Sequence, residues 1–158
     1  MTALSANKDR PVRIPPGGLR TEKFGLSGYT NYGGGSTAFT VYKGAVVIID
    51  VSDTDGYAAP MAVNAASGDM FAGIAAERQD VGSSDTADGS VALTVYTNGI
   101  WGFPKASLAI TDVGAVIYAT DTDAVTTTST NAITIGRLVD VDATYAWIDI
   151  STHWMVPI

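Results

Sequence analysis

Apolar positions beyond residue 36 fall in short runs broken by glycine, asparagine and aspartate at near-regular spacing. Residues 90–97 alternate most cleanly. Val91, Leu93 and Val95 share one face, and Ala92, Thr94 and Tyr96 the other, the period of a half-buried strand. Asn98-Gly99 and then Ile100-Trp101-Gly102-Phe103 follow. Asn-Gly between two such runs predicts a two-residue hairpin, because both central positions of a type I′ turn need positive φ. Residues 38–42 and 45–51 form another pair of runs, split by a short turn at Lys43-Gly44. Within the second, Ala45-Val46-Val47-Ile48-Ile49 shows no polar alternation and reads as a strand buried on both faces.

Further strands are expected over 70–77, 115–120, 124–128, 132–141 and 145–150, with hairpin turns at 121–123 and 142–144. Residues 57–69 read as one short helix or an irregular loop, and 78–89 as a polar loop. About nine short strands with almost no helix predict an all-β domain, a compact β-barrel or β-sandwich.

The first 24 residues show neither period 2 nor period 3.6. Pro11, Pro15 and Pro16 oppose helix, and Val12, Ile14, Leu19 and Phe24 are isolated apolar beads. Charge adds to this picture. Residues 1–24 hold five basic side chains against two acids, and residues 25–158 hold four against fourteen. The segment reads either as a disordered tail or as a basic, proline-stiffened arm that lies along a neighbour, its arginines meeting carboxylates. The division expected is a 1–24 arm, a glycine-rich 25–36 connector, a 37–151 β domain and an apolar 152–158 tail.

Composition sets outer bounds. At 158 residues a single domain with its own core is expected. There is no cysteine, which removes disulfides and thiolate metal sites. No apolar run reaches the length of a membrane span, the N-terminus lacks a secretory h-region, and synthesis in the cytoplasm is expected. An acidic body disfavours nucleic acid as partner.

Candidate chemistry is sparse. His153 is the sole histidine, and no GxSxG elbow offers it a nucleophile. Asp53 and Asp55 sit in a loop faintly like a calcium site, but its first and twelfth places would be Val51 and Ala62, without ligands. Asp121 and Asp123 read as turn formers. The only glutamates are Glu22 and Glu77, so a paired-carboxylate hydrolase would need aspartates. No catalytic residue, metal ligand or cofactor site is expected. Trp101, beside the expected hairpin tip, reads as solvent-facing and Trp147 as core; exposed aromatics would suit a carbohydrate or receptor module.

The stretch VYKGAVVIID (41–50), Gly73-Ile74-Ala75, the run 99–104, the segment 113–118 and Ile135–Leu138 come in a recognisable order. In that order they resemble the small cement or decoration proteins of tailed bacteriophage heads, over residues 37–150. The resemblance implies a non-enzymatic virion protein. It would bind the outer surface of the capsid and brace major capsid protein subunits, as a homo-oligomer, with a trimer favoured over a dimer. It involves no membrane and no direct contact with nucleic acid. On this reading the capsid-binding arm would use Arg10, Arg13, Ile14, Arg20 and Phe24. The tail residues Trp154, Met155 and Val156 would serve self-association. A head-fibre or carbohydrate-binding module is the alternative.

Overall fold

The computed structural model describes residues 3–51, 56–61 and 68–151. Among them, thirteen strands form three antiparallel sheets and no α-helix is present. The strands are β1 (Val12–Arg13), β2 (Thr21–Gly25), β3 (Phe39–Val41), β4 (Val46–Asp50), β5 (Tyr57–Pro60), β6 (Met70–Ala75) and β7 (Gln79–Val81). They continue with β8 (Ala92–Tyr96), β9 (Ile100–Pro104), β10 (Val116–Asp121), β11 (Ala124–Thr126), β12 (Ile133–Val141) and β13 (Tyr145–Asp149). A six-stranded sheet runs β1-β9-β13-β12-β10-β11, a five-stranded sheet runs β2-β8-β6-β4-β5, and β3 pairs with β7.

The five-stranded sheet is the middle layer, which explains the unbroken apolar run. Val46 and Ile48 of β4 join one core with Phe71, Ile74, Trp101, Phe103, Ile117, Ile133, Ile135 and Ile148, between the two large sheets. Val47 and Ile49 face the opposite way, into a second core with Leu26, Val41, Val81, Leu93 and Val95 beneath the β3–β7 ribbon. A strand with hydrocarbon on both sides has no use for polar alternation. The alternation of β8 also holds: Leu93 and Val95 enter the second core, and Tyr96 packs against the first.

In β6 the register slips where Val47 opposes Gly73 and Ile48 opposes Phe71. Because of this bulge, Phe71 and Ile74, three apart, both reach the first core, while Ala72 and Ala75 reach the second. Gly73 has φ +145°, and a Cβ there would lie 2.4 Å from the Tyr96 carbonyl oxygen. Only glycine fits this kink.

The Asn98-Gly99 hairpin does not form. β8 and β9 belong to different sheets, and this dipeptide is the corner between them. Asn98 is absent from the positive-φ residues, whereas Gly99 has φ 104°, so the type I′ requirement fails at its first position. The Asn98 side chain is committed elsewhere: Oδ1 accepts from the Arg20 N–H and Nδ2 donates to the Gly18 carbonyl. Lys43-Gly44 is likewise a corner, joining the small ribbon to the middle sheet. The turns at 121–123 and 142–144 are hairpins, as expected.

The N-terminal segment departs furthest from expectation. β1 is the edge strand beside β9, and β2 is the edge strand beside β8. The expected arm–connector boundary after residue 24 falls inside β2, and the supposed connector contains fully buried Leu26. Residues 57–60 and 79–81, read as loop or helix, are also edge strands.

Candidate docking surface

Residues 8–13 lie along a seam. The six-stranded sheet curls until β11 approaches β9, and Arg10 fills the remaining gap. Its side chain is wholly buried. Nε and Nη2 donate to the Gly44 carbonyl at 2.9 and 2.7 Å, and Nη1 donates to the Gly102 carbonyl at 3.1 Å. Nη2 also donates to Asp123 Oδ1 at 2.7 Å, and Lys8 Nζ takes the other carboxylate oxygen at 2.8 Å. The guanidinium lies 3.9 Å above the centre of the Phe103 ring. Burial pushes the Arg10 pKa down, and the charge and hydrogen bond of Asp123 oppose it. Each guanidinium nitrogen thus has an acceptor, which helps a buried arginine to be tolerated. The backbone reinforces the seam: Lys8 N–H donates to the Lys43 carbonyl, Gly102 N–H to Pro11 and Thr97 N–H to Arg20.

The outer face of the six-stranded sheet carries a second cluster. Arg13 sits 4.2 Å over the Trp147 ring and pairs with Asp140 at 2.8 Å. Trp147 Nε1 donates to Asp142 Oδ2 at 2.8 Å, and Tyr145 meets the indole edge-on at 5.8 Å between ring centres. Asp142 also accepts the Tyr145 and Thr144 N–H groups. The Tyr145 N–H, then the Trp147 indole and the Thr144 N–H, hold the Asp142 carboxyl below the usual carboxylate range.

This cluster reverses the expected roles of the tryptophans. Trp101 is buried, its Nε1 donating to the Asn98 carbonyl at 2.9 Å, and Trp147 is half-exposed. The phase of β13 carried the signal: Ala146, Ile148 and Ile150 are buried, so Tyr145, Trp147 and Asp149 alternate outward. With one face so apolar, the strand's aromatics belong to the other.

The five arm residues do not act as one surface. Arg10 is interior. Phe24 is half-buried against the second core, paired across β2–β8 with Leu93. Arg13 and Arg20 are exposed, and Ile14 is 64% exposed; these three lie in one accessible stretch, 13–20. Trp154, Met155, Val156 and His153 fall outside the described residues, as do Asp53 and Asp55. Between the N-terminal segment and the body lies a cavity of about 140 Å³, lined by Val12, Leu19, Ala75, Tyr96 and Trp101. The Lys43–Asp9 ion pair stands at its rim.

The Asp123 carboxylate is taken by Lys8 and Arg10, and Glu77 accepts the Thr94 N–H, which with further hydrogen bonds lowers its pKa. Among the described residues no three His, Cys, Asp or Glu side chains gather as a metal site, and no helix is long and apolar enough to cross a membrane.

No family model matches the chain, and neither a curated protein nor a solved structure is similar to it.

Proposed function

We propose that this chain is a structural virion protein, a capsid cement or decoration protein that binds the outer surface of a phage head and braces major capsid subunits. The reading rests on the ordered motifs of residues 37–150. Those motifs coincide with the working parts of the fold: the doubly buried β4, the Gly73 bulge, the β9 and β10 strands and the long β12. An all-β body closed by a buried arginine suits a part that works by persisting.

The coat-binding surface is redrawn. Arg10 and Phe24 serve the chain's own packing, so Arg13, Ile14 and Arg20 remain as the contacts offered to a coat subunit. Removing residues 1–24 would delete two edge strands, so truncation cannot separate binding from folding. Point substitutions can. Purified protein incubated with bare phage heads and imaged is expected to give density at symmetric positions. Arg13→Glu with Ile14→Ser and Arg20→Glu is expected to remove that density while leaving the circular dichroism spectrum unchanged. Absence of density with the native chain would refute the proposal.

The head-fibre or carbohydrate reading draws on a different observation, the outward Tyr145–Trp147 pair. It expects glycan-array binding that Trp147→Ala abolishes and that Ile14→Ser with Arg20→Glu spares.

A further inference from the structure

The strap of residues 3–13 bonds to parts of the body that are remote in sequence. Its side-chain hydrogen bonds reach partners from 34 to 127 residues away. Leu4 N–H meets Thr122, Lys8 and Arg10 meet Asp123, Arg10 meets Gly44 and Gly102, and Arg13 meets Asp140. Nothing in these contacts requires that strap and socket belong to the same molecule. Its one strand, β1, is two residues long and sits at a sheet edge, so its removal leaves every other strand pairing in place. Charge fits as well: the strap holds Lys8, Arg10 and Arg13 against Asp9 alone, and the rest of the chain holds fifteen acids against six bases.

The link to β2 is folded back on itself and clamped by Asn98, whose bonds to Arg20 N–H and the Gly18 carbonyl must break for it to open. Residues 14–20 run Ile-Pro-Pro-Gly-Gly-Leu-Arg, folded back by a turn in which Gly18 N–H donates to the Pro15 carbonyl. Gly17 and Gly18 have φ of 88° and 86°, with open space around both. Consecutive prolines favour extended chain. Straightened, seven residues span about 23 Å, enough to carry the strap onto an adjoining molecule. The apolar Ile14 already stands 64% exposed at the start of this link.

We propose that the strap exchanges between copies, residues 3–13 of one chain occupying the β9–Asp123 socket of a second. The contacts are then the same as in the closed chain, and the equilibrium is set by concentration and by strain in the link. Copies held side by side on any surface would be laced in this way. The proposal concerns self-association alone and stands or falls apart from capsid binding.

The absence of cysteine gives a clean test. Arg13 and Ile100 are paired positions on β1 and β9. Chains carrying Arg13→Cys are mixed with chains carrying Ile100→Cys, unfolded together, refolded at high concentration and oxidised. Strap exchange yields a covalent heterodimer well above the level from a control mixture of Arg13→Cys with Ala143→Cys, a residue in the exposed 142–144 turn. A second variant lacks Gly17 and Gly18, which shortens the link so that the turn cannot close. Light scattering should show it shifted from monomer toward dimer or larger rings relative to the native chain. Heterodimer no greater than control, together with an unshifted shortened variant, overturns the proposal.

Discussion

Two arginines three residues apart illustrate how differently one charge can behave. Arg10 is buried with four hydrogen bonds, whereas Arg13 and its partner Asp140 keep 45% and 40% of their side chains exposed. Replacing Arg10 with Met strands the Gly44 and Gly102 carbonyls and leaves Asp123 with Lys8 alone. The expected cost is about 3–5 kcal/mol, read as a lower urea midpoint. Arg13→Ala should cost under about 1 kcal/mol in the same experiment, since solvent screens the pair. Asp142 gives the residue-scale pH dependence. Its folded pKa is depressed by hydrogen bonds to its ionised form, so its contribution is complete above the ordinary carboxylate value. That contribution is lost as pH falls through the folded pKa. Trp147 fluorescence should therefore change below the normal aspartate range, and Asp142→Asn should remove the transition.

At the scale of elements, hydrophobic phase was legible and partner choice was not. β4, β8, β10, β12 and β13 stand where their apolar patterns put them, because each buries a complete face. β1, β2 and β7 escaped notice because these edge strands bury little and carry no alternation, and β5 because its buried Ala-Ala-Pro run shows none either. Pro60 in β5 and Gly25 in β2 are tolerated because both strands lie at a sheet edge. The Asn98-Gly99 corner was misread because local turn chemistry cannot say which sheet the next strand joins. In the candidate site, the basic residues of the N-terminus were visible, but their destination depends on Asp123 and Asp140, far along the chain. The same pairing sets the outcome of truncation. Deleting residues 1–24 exposes the edges of β8 and β9 and empties the Arg10 socket. The remaining chain is expected to lose its cooperative thermal transition and its near-ultraviolet circular dichroism, although it retains the strands that bear the clearest patterns.

For the molecule as a whole, layering predicts an order of local stability. β4 is bonded on both sides, to β5 and β6, and its Val46, Val47, Ile48 and Ile49 are almost wholly buried between two cores. Opening it means separating the middle sheet from both neighbours, which amounts to global unfolding. The β3–β7 ribbon pairs only with itself over three residues, Phe39–Val41 against Gln79–Val81, and can lift while the two large sheets stay joined. The seam lies between these extremes, because a buried Arg10 with four hydrogen bonds anchors an otherwise short edge. Native-state hydrogen exchange should thus find β4 and β6 amides protected to the global limit and Gly102, whose N–H donates to Pro11, released earlier. The β3–β7 amides should exchange first. Arg10→Met should bring the Gly102 amide down toward the ribbon while shifting β4 only by the loss in global stability. If Gly102 and β4 fell together by the same amount, the seam would be part of the cooperative core, and strap release would require unfolding of the whole.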